Sequence, residues 1–421
     1  MIQSIRGFKD ILPGEVELWQ HIEKTATSLF KNFGFEEIRL PVLERTELFA
    51  RSIGEGTDIV EKEMYTFPDR SGDLITLRPE VTASVVRSYI QHKLYAKDSI
   101  RKFYTIGPMF RRERPQKGRY RQFYQINAEV FGIDSPLIDA QLIFMLVTLF
   151  SRLSVTDTQV HLNSLGCPAC RPDFKKALSD WLSAVTGQLC SDCIRRSERN
   201  PLRVLDCKVP SCREALFGAP CMLDYLCAEC SNHFEALKDA LARLNTPFVI
   251  NSHLVRGLDY YTRTTFEIQT SFSGAQNAVA GGGRYDSLVE ALGGPATPAT
   301  GFAIGFDRLT EITALNNSDF EKNPDIFVAA LGKTSISKAF EWTCDLSRAG
   351  IFSEMDFGNK SLKNQMKRAD QLGAAYVLII GEKELGQESA VLRNMTTKEQ
   401  VLIPLDGIVE NLKEKIFQAV S

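Results

Sequence analysis

The 421-residue sequence predicts an α+β chain in three parts: a largely antiparallel sheet domain, a cysteine-rich helical insertion that divides it, and a small α/β domain with a mixed sheet at the C-terminal end. Three observations predict this. Strand-like segments recur as hairpin-like neighbours from Leu74 to Phe131 and again from Thr264 to Gly281. Between Cys167 and about Asn251 the texture turns helical, polar and rich in cysteine. Beyond the polar segment Asn316 to Pro324, strands and helices alternate in a compact new pattern.

Taken in order, Leu18, Ile22, Ala26, Leu29, Phe30 and Phe33 recur at helical spacing and stop at Gly34, so the first helix is expected over about residues 15–33. A strand from Phe35 to Leu40 follows. Further strands are expected at Leu74–Leu77, Ile100–Ile106, Phe123–Phe131, Thr264–Thr270 and Ala278–Gly281. After Pro324 the pattern predicts strand Asp325–Leu331, then a helix with Ile336, Ala339, Phe340, Thr343 and Leu346 on one side that ends at Gly350. Strand Ile351–Phe357, helix Ser361–Leu372 and strand Ala374–Ile380 come next, and two more strands and a helix close the chain. The expected domains are 1–322, interrupted by the insertion at 167–251, and 323–421.

Composition narrows the class of protein. With 44% hydrophobic and 24% charged residues, the chain can bury two or three cores. No stretch approaches eighteen consecutive apolar residues, and the start, MIQSIRGFKDILPGE, lacks the charged and then apolar regions of a secretory signal. A cytoplasmic protein without membrane contact is expected. In that setting the ten cysteines are expected to stay reduced or to bind metal.

The chemistry begins at GPMFRRERPQKGRYRQFYQ, Gly107 to Gln125. Arg111, Arg112, Arg114, Lys117, Arg119 and Arg121 face one carboxylate, Glu113, between two apolar strand-like flanks. On a chain with formal net charge −2, such a local excess beside Tyr120, Phe123 and Tyr124 suits a polyphosphate or nucleic-acid ligand. In TLRPEVTA, Pro79 and Glu80 sit at a strand-to-helix junction, where proline and an acid are both stabilising for the helix alone. LVRGLDYYTRTTFE gathers an arginine, an acid and two tyrosines between Arg256 and Tyr261, before an alternating strand. AGGGRYD, Ala280 to Asp286, lets backbone approach a ligand closely. GFAIGFDRL, Gly301 to Leu309, has neither the lysine of a P-loop nor the spacing of a dinucleotide fingerprint, which disfavours the ordinary nucleotide folds.

Together these segments resemble histidyl-tRNA synthetases of the bacterial type, essentially end to end. The basic hairpin looks like class II motif 2, GFAIGFDRL like motif 3, and RLPVLERTELFARSIGEGTDIVEKEMYTF like motif 1 and its continuation. LVRGLDYY and AGGGRYD are similar to the two histidine-specific motifs. The resemblance implies a class II synthetase core with an antiparallel six-stranded sheet and flanking helices, a homodimer built through motif 1, and a C-terminal anticodon-binding domain. It implies a ligase that uses ATP with Mg2+, histidine and histidine tRNA, by way of a histidyl-adenylate. The alternative is a non-catalytic synthetase-like regulatory subunit of histidine biosynthesis.

By the same resemblance Arg111 and Arg256 are catalytic, gripping the α-phosphate from two sides. ATP would be held by Arg111, Glu113, Phe123 and Arg308. Histidine would be held by Glu80, Thr82 and Gln125 at its ammonium and by Glu129 and Tyr261 at its imidazole, with Tyr285 closing the pocket. Arg114 and Gln116 would meet the tRNA acceptor end, and Lys360, Lys363, Lys367 and Arg368 are candidate anticodon contacts. Departures from the family pattern are Ser287 for glycine, Asp307 for glutamate and Arg112 for histidine.

The cysteines suggest something further. Cys167 and Cys170, Cys190 and Cys193, and Cys227 and Cys230 form three C-x2-C pairs, a spacing that suits structural zinc. The expected grouping joins the first two pairs in one site. Cys207 and Cys212 then join the third pair in another, leaving Cys221 and Cys344 over. The alternative is a set of reduced, half-buried thiols with no metal.

Overall fold

The computed structural model describes residues 2–54, 56–116, 118–271, 278–316, 320 and 323–418. Lys117 of the basic hairpin, and residues 317–319, 321 and 322 of the expected boundary segment, lie outside the described residues. The chain separates into two compact units, Met1–Phe320 and Glu321–Ser421.

The first unit is built on an eight-stranded sheet in the order Glu36–Glu37, Arg101–Phe110, Gln122–Phe131, Ala299–Gly305, Ala278–Arg284, Thr262–Gln269, Gln159–Ser164 and Phe248–Ile250. The inner six strands run antiparallel to one another. The expected count of six is corrected to eight because a short parallel strand lies along each edge. Glu36–Glu37 and Phe248–Ile250 use edge N–H and C=O groups that would otherwise be unpaired. The strand expected over residues 35–40 shrinks to two residues, although Ile38 N still donates to the Tyr104 carbonyl at 2.9 Å. Leu74–Leu77 does not join this sheet. It is the middle strand of a separate antiparallel sheet with Leu43–Arg45 and Tyr65–Pro68.

Strand alternation separates the two faces of the large sheet. Ile126, Ala128 and Val130 point into a core made with helices Val16–Asn32, Pro136–Arg152 and Ala228–Arg243. Leu18, Ile22, Ala26, Leu29 and Phe30 are the buried stripe of the first helix. The opposite face carries Phe123, Gln125, Asn127 and Glu129 and is left for a ligand.

Helices Arg171–Ala184, Ser191–Arg199, Pro210–Ala215 and Ala228–Arg243 make up the insertion. It is not a separate body. Phe174, Leu178 and Leu182 share one apolar cluster with Val81, Tyr89, Phe131, Tyr261 and Tyr285 of the sheet domain.

In the second unit, Ser353–Met355, Ile326–Leu331 and Tyr376–Gly381 are parallel, and Ser389–Asn394 and Gln400–Pro404 extend them antiparallel, a mixed sheet. Helices Lys333–Arg348 and Ile408–Gln418 cover one apolar cluster and Leu362–Gln371 another. The short helix Glu382–Gly386 adds one element that the sequence pattern did not predict. No helix among the described residues is long and apolar enough to cross a membrane.

Candidate active site

Gln122–Phe131 pairs with Arg101–Phe110 along its whole length, from Arg101 opposite Phe131 to Phe110 opposite Gln122. Two such long strands fix side-chain direction firmly. Alternate residues Phe123, Gln125, Asn127 and Glu129 therefore line one floor, and Phe123 lies about 20 Å along the strand from Glu129. Above this floor is a cavity of about 270 Å3. Its wall holds Glu80, Thr82, Arg111, Glu113, Arg256, Tyr261, Tyr285 and Arg308 as well.

At the Glu129 end the carboxylate is fully enclosed. Thr82 donates its hydroxyl to Glu129 Oε1 at 2.7 Å, and the Tyr285 hydroxyl donates to Oε2. Burial pushes the Glu129 carboxyl up to about 8, against the two hydroxyl donors that favour its ionised form. A Cβ at Gly301, which pairs with Glu129 across the sheet, would stand 1.7 Å from Oε2, so glycine is what leaves the carboxylate room. Tyr260, Tyr261 and Tyr285 form an aromatic wall, with ring centroids 4.8 Å apart for the first two and 5.7 Å between Tyr260 and Tyr285.

Glu80 has two duties here. It accepts from the backbone N–H groups of Thr82 at 2.6 Å and Ala83 at 2.9 Å, capping helix Thr82–Gln91, and it also faces the cavity. Burial raises its carboxyl pKa despite those donors.

Towards Phe123 the cavity becomes cationic. Arg111 Nε donates to the Pro79 carbonyl at 2.9 Å, and its guanidinium stands 5.3 Å from the centre of the Phe123 ring. Glu113 pairs with Arg119 at 2.9 Å. Arg308 donates to the Ala278 carbonyl at 2.6 Å. Its neighbour Asp307 accepts from Tyr124 N at 2.8 Å, tying helix Phe306–Asn316 to the floor strand. Burial lifts the Asp307 carboxyl to about 6. Arg256 is held by Glu267 and lies over the Tyr261 ring, 5.8 Å from its centre. A Cβ at Gly281 would come within 2.5 Å of the Arg256 guanidinium, so this glycine seats the arginine against the sheet.

Eleven of the expected site residues thus share one cavity. Arg114 and Gln116 do not reach it: both are exposed in the hairpin loop, where Gln116 and Arg119 exchange backbone bonds of 3.1 and 2.8 Å. Arg284, from AGGGRYD, also points away, fully buried on Asp139 at 3.2 Å and on the Ile133 carbonyl at 2.6 Å. Asp139 in turn meets His233 of the insertion at 2.9 Å.

Sequence reasoning missed Arg119, Tyr260 and Asn127 as residues lining the cavity, and Glu267 as the partner of Arg256. Parity with Gln125 and Glu129 was an available signal for Asn127. Arg78 was missed as a support. Its buried guanidinium donates to the carbonyls of Pro108, Leu40 and Pro41 at 3.0 to 3.3 Å, binding the hairpin to the segment that resembles motif 1.

The cysteines are grouped differently from expectation. Cys167 and Cys170 gather with Cys227 and Cys230, and Cys190 and Cys193 with Cys207 and Cys212. The expected union of the first two pairs is corrected, because helix Arg171–Ala184 carries the chain away from the first pair before the second begins. Helix Ala228–Arg243, starting beside the third pair, brings that pair back to the first.

A family model described as Histidyl-tRNA synthetase matches residues 7–169 and 203–309, and one described as Anticodon binding domain matches 325–415. The chain belongs to the histidyl-tRNA synthetase family. It is 60% identical over 418 residues to a histidine–tRNA ligase of Desulfatibacillum aliphaticivorans, covering 99% of this chain and 100% of that protein. A histidine–tRNA ligase of Geobacter sulfurreducens is 56% identical, covering 96% of this chain and 98% of that protein. Among solved structures, the apo S. aureus histidyl-tRNA synthetase superposes with a TM-score of 0.83 at 36% identity, covering 98% of this chain and 100% of that one. The synthetase family model passes over residues 170–202, so the part of the cysteine-rich insertion from Cys170 to Leu202 lies outside what it matches.

Proposed function

We infer that this chain is a histidine–tRNA ligase: it activates histidine with ATP and transfers the histidyl group to its tRNA. The observation that carries the reading is the polarity of one strand floor. An enclosed carboxylate with hydroxyl partners lies at Glu129, and arginines stacked near an aromatic ring lie about 20 Å away at Phe123.

Histidine's carboxylate attacks the α-phosphorus of ATP, pyrophosphate leaves, and histidyl-adenylate results. The nucleophile is already ionised at neutral pH, so no general base is needed and catalysis rests on positioning and on charge stabilisation at phosphorus. Arg111 and Arg256 neutralise that charge from two sides. Pro79 and Glu267 fix the two guanidiniums beforehand, so little reorganisation remains for the transition state. Phe123 stacks on adenine, Glu113 meets its amino edge, and Arg308 holds the outer phosphates, whose Mg2+ arrives with the nucleotide.

Glu129 and Tyr261 take the imidazole; Glu80, Thr82 and Gln125 take the ammonium; Tyr285 closes the pocket by holding Glu129. A buried site that requires both imidazole nitrogens rejects apolar amino acids by leaving its own polar groups unpaired. In the second step a terminal ribose hydroxyl of the tRNA attacks the histidyl carbonyl carbon and AMP leaves. Arg114 and Gln116, exposed on the loop, meet the acceptor end. Lys363, Lys367 and Arg368 are exposed on helix Leu362–Gln371 and Lys360 lies just before it, a cationic surface for the anticodon arm. The eight grouped thiols suit structural zinc rather than a catalytic metal, since a four-thiolate site is closed.

A homodimer through the motif 1 segment accounts for the exposed apolar side chains Leu43, Phe67 and Leu74 on the three-stranded sheet. The regulatory-subunit reading is not favoured. A Bacillus halodurans structure described as an ATP phosphoribosyltransferase regulatory subunit/histidyl-tRNA synthetase is 18% identical with a TM-score of 0.64, a likeness of fold alone.

The deciding experiment is ATP to pyrophosphate exchange with each of the twenty amino acids. Exchange with histidine alone is expected, followed by charging of histidine tRNA; folded protein that exchanges with none would overturn the reading.

A further inference from the structure

Eight cysteines stand in two groups of four, and within each group all four sulfur atoms lie within 4.8 Å of one another. Neighbouring sulfurs are 3.6 Å apart for Cys167 and Cys170, and 4.0 Å apart for Cys167 and Cys227 and for Cys190 and Cys207. A disulfide would need about 2.05 Å. Four thiolates at about 2.3 Å from one tetrahedral zinc ion sit about 3.8 Å from each other, the spacing approached here.

The local backbone is also suited to thiolates. Cys170, Cys190 and Cys227 each stand at the start of a helix, where the macrodipole favours negative charge. Backbone N–H groups already point at two of the sulfurs, Cys227 N to Cys170 Sγ and Cys190 N to Cys212 Sγ, both at 3.1 Å. The helices themselves are weak. Ser191–Arg199 has nine residues and Pro210–Ala215 six, too few to persist without tertiary support.

What these groups hold is the strand-side loop Arg256–Tyr261. Arg171, next to Cys170, donates to the carbonyl of Tyr261 and, at 3.2 Å, to that of Leu165. Asn200 and Arg203, between Cys193 and Cys207, donate to Asp259 Oδ1 at 2.8 Å and to the carbonyl of Arg256 at 3.0 Å. Each end of the loop is therefore fastened by a guanidinium that one cysteine group positions.

We propose that each four-cysteine group binds one zinc ion, and that the two ions together hold loop Arg256–Tyr261 in its histidine-binding shape through the positioning residues Arg171 and Arg203. The positioning half rests on the ligase reading above; the metal half does not.

Metal analysis of full-length protein, purified reduced and without chelator, is expected to give two zinc ions per chain. Cobalt substitution should give the tetrahedral d–d bands and the sulfur-to-cobalt charge-transfer absorption of two four-thiolate sites. Well under one zinc per chain, with no such spectrum, overturns the metal sites. The grouping is tested by paired variants. Cys167→Ser with Cys227→Ser should lose one zinc, and Cys167→Ser with Cys190→Ser should lose both. Loss of only one in the latter overturns the grouping.

For the positioning role, Arg171→Ala should keep two zinc ions and raise KM for histidine about tenfold in pyrophosphate exchange, with KM for ATP little changed, because it frees the Tyr261 end of the loop. Arg171→Lys should recover part of the loss. Histidine KM unchanged in Arg171→Ala, and in folded protein from which chelator has stripped the metal, would sink the positioning role. If the wild-type protein showed no exchange at all, the ligase reading would fail while the zinc count still stood.

Discussion

The floor of the site and the insertion beside it position functional groups by different physics. The floor uses the two-residue period of a long, fully paired strand, so Phe123, Gln125, Asn127 and Glu129 point one way while Ile126, Ala128 and Val130 point the other. The insertion uses short helices, side-chain to backbone bonds and clustered thiols to steady a loop that has no ladder of its own. Direction comes from a neighbour one residue away in the first region and from residues far along the chain in the second. A ladder keeps its backbone course when one polar side chain on its surface is changed, whereas a loop held at two points shifts when either point is lost.

The largest effect should come from the floor. Glu129→Ala is expected to lower histidine-dependent exchange about 10^3-fold or more, since it leaves two buried hydroxyls and an imidazole without their partner, while ATP binding and the fold survive. Retained histidine selectivity in that variant would place the pocket elsewhere. Gly301→Ala should nearly match it for a steric reason, because the new methyl meets the Glu129 carboxylate and, at 2.6 Å, the Ala128 carbonyl. Overpacking of this kind costs about 1–3 kcal/mol, so a fall in melting temperature should accompany the lost exchange. A well-folded, fully active Gly301→Ala protein would contradict the geometry of the floor.

Next in size is the pH dependence of histidine affinity. In the empty protein the Glu129 carboxyl, raised to about 8 by burial, holds a proton below that pH. Free imidazole gains its own below about 6.5. A complex that shares one proton between the two forms most readily between those limits, and affinity should fall about tenfold per pH unit beyond either. Glu129→Gln should bind more weakly and lose the alkaline limb; calorimetric titration that still showed the limb would assign it to another group. The smallest effect belongs to the second unit. Lys363→Ala with Lys367→Ala should raise KM for tRNA about threefold at low salt and less at higher salt, and leave pyrophosphate exchange unchanged.

The same difference decides what could be read from the sequence. Residues on the long strands and beside the glycine-rich turns were legible because period and turn chemistry are local. Gly281 and Gly301 appear in the sequence as members of motifs, and the structure adds that one makes room for Arg256 and the other for Glu129. Edge strands of two and three residues, Glu36–Glu37 and Phe248–Ile250, carry no period to detect. The order of cysteines along the chain suggested that neighbouring pairs join; the path of two helices decides otherwise. Arg78 and Glu267 act through partners that no local pattern names.

Glu80 carries one more consequence. A carboxylate that both closes the first turn of helix Thr82–Gln91 and faces the cavity would, on the proposed reading, couple amino-acid choice to folding. A change there that suited another substrate would also loosen a buried helix, and that helix supplies the Thr82 hydroxyl that Glu129 accepts. On the proposed reading the pocket is hard to retune in small steps, because a variant at Glu80 that reshaped the cavity would also lose the two bonds that close the helix.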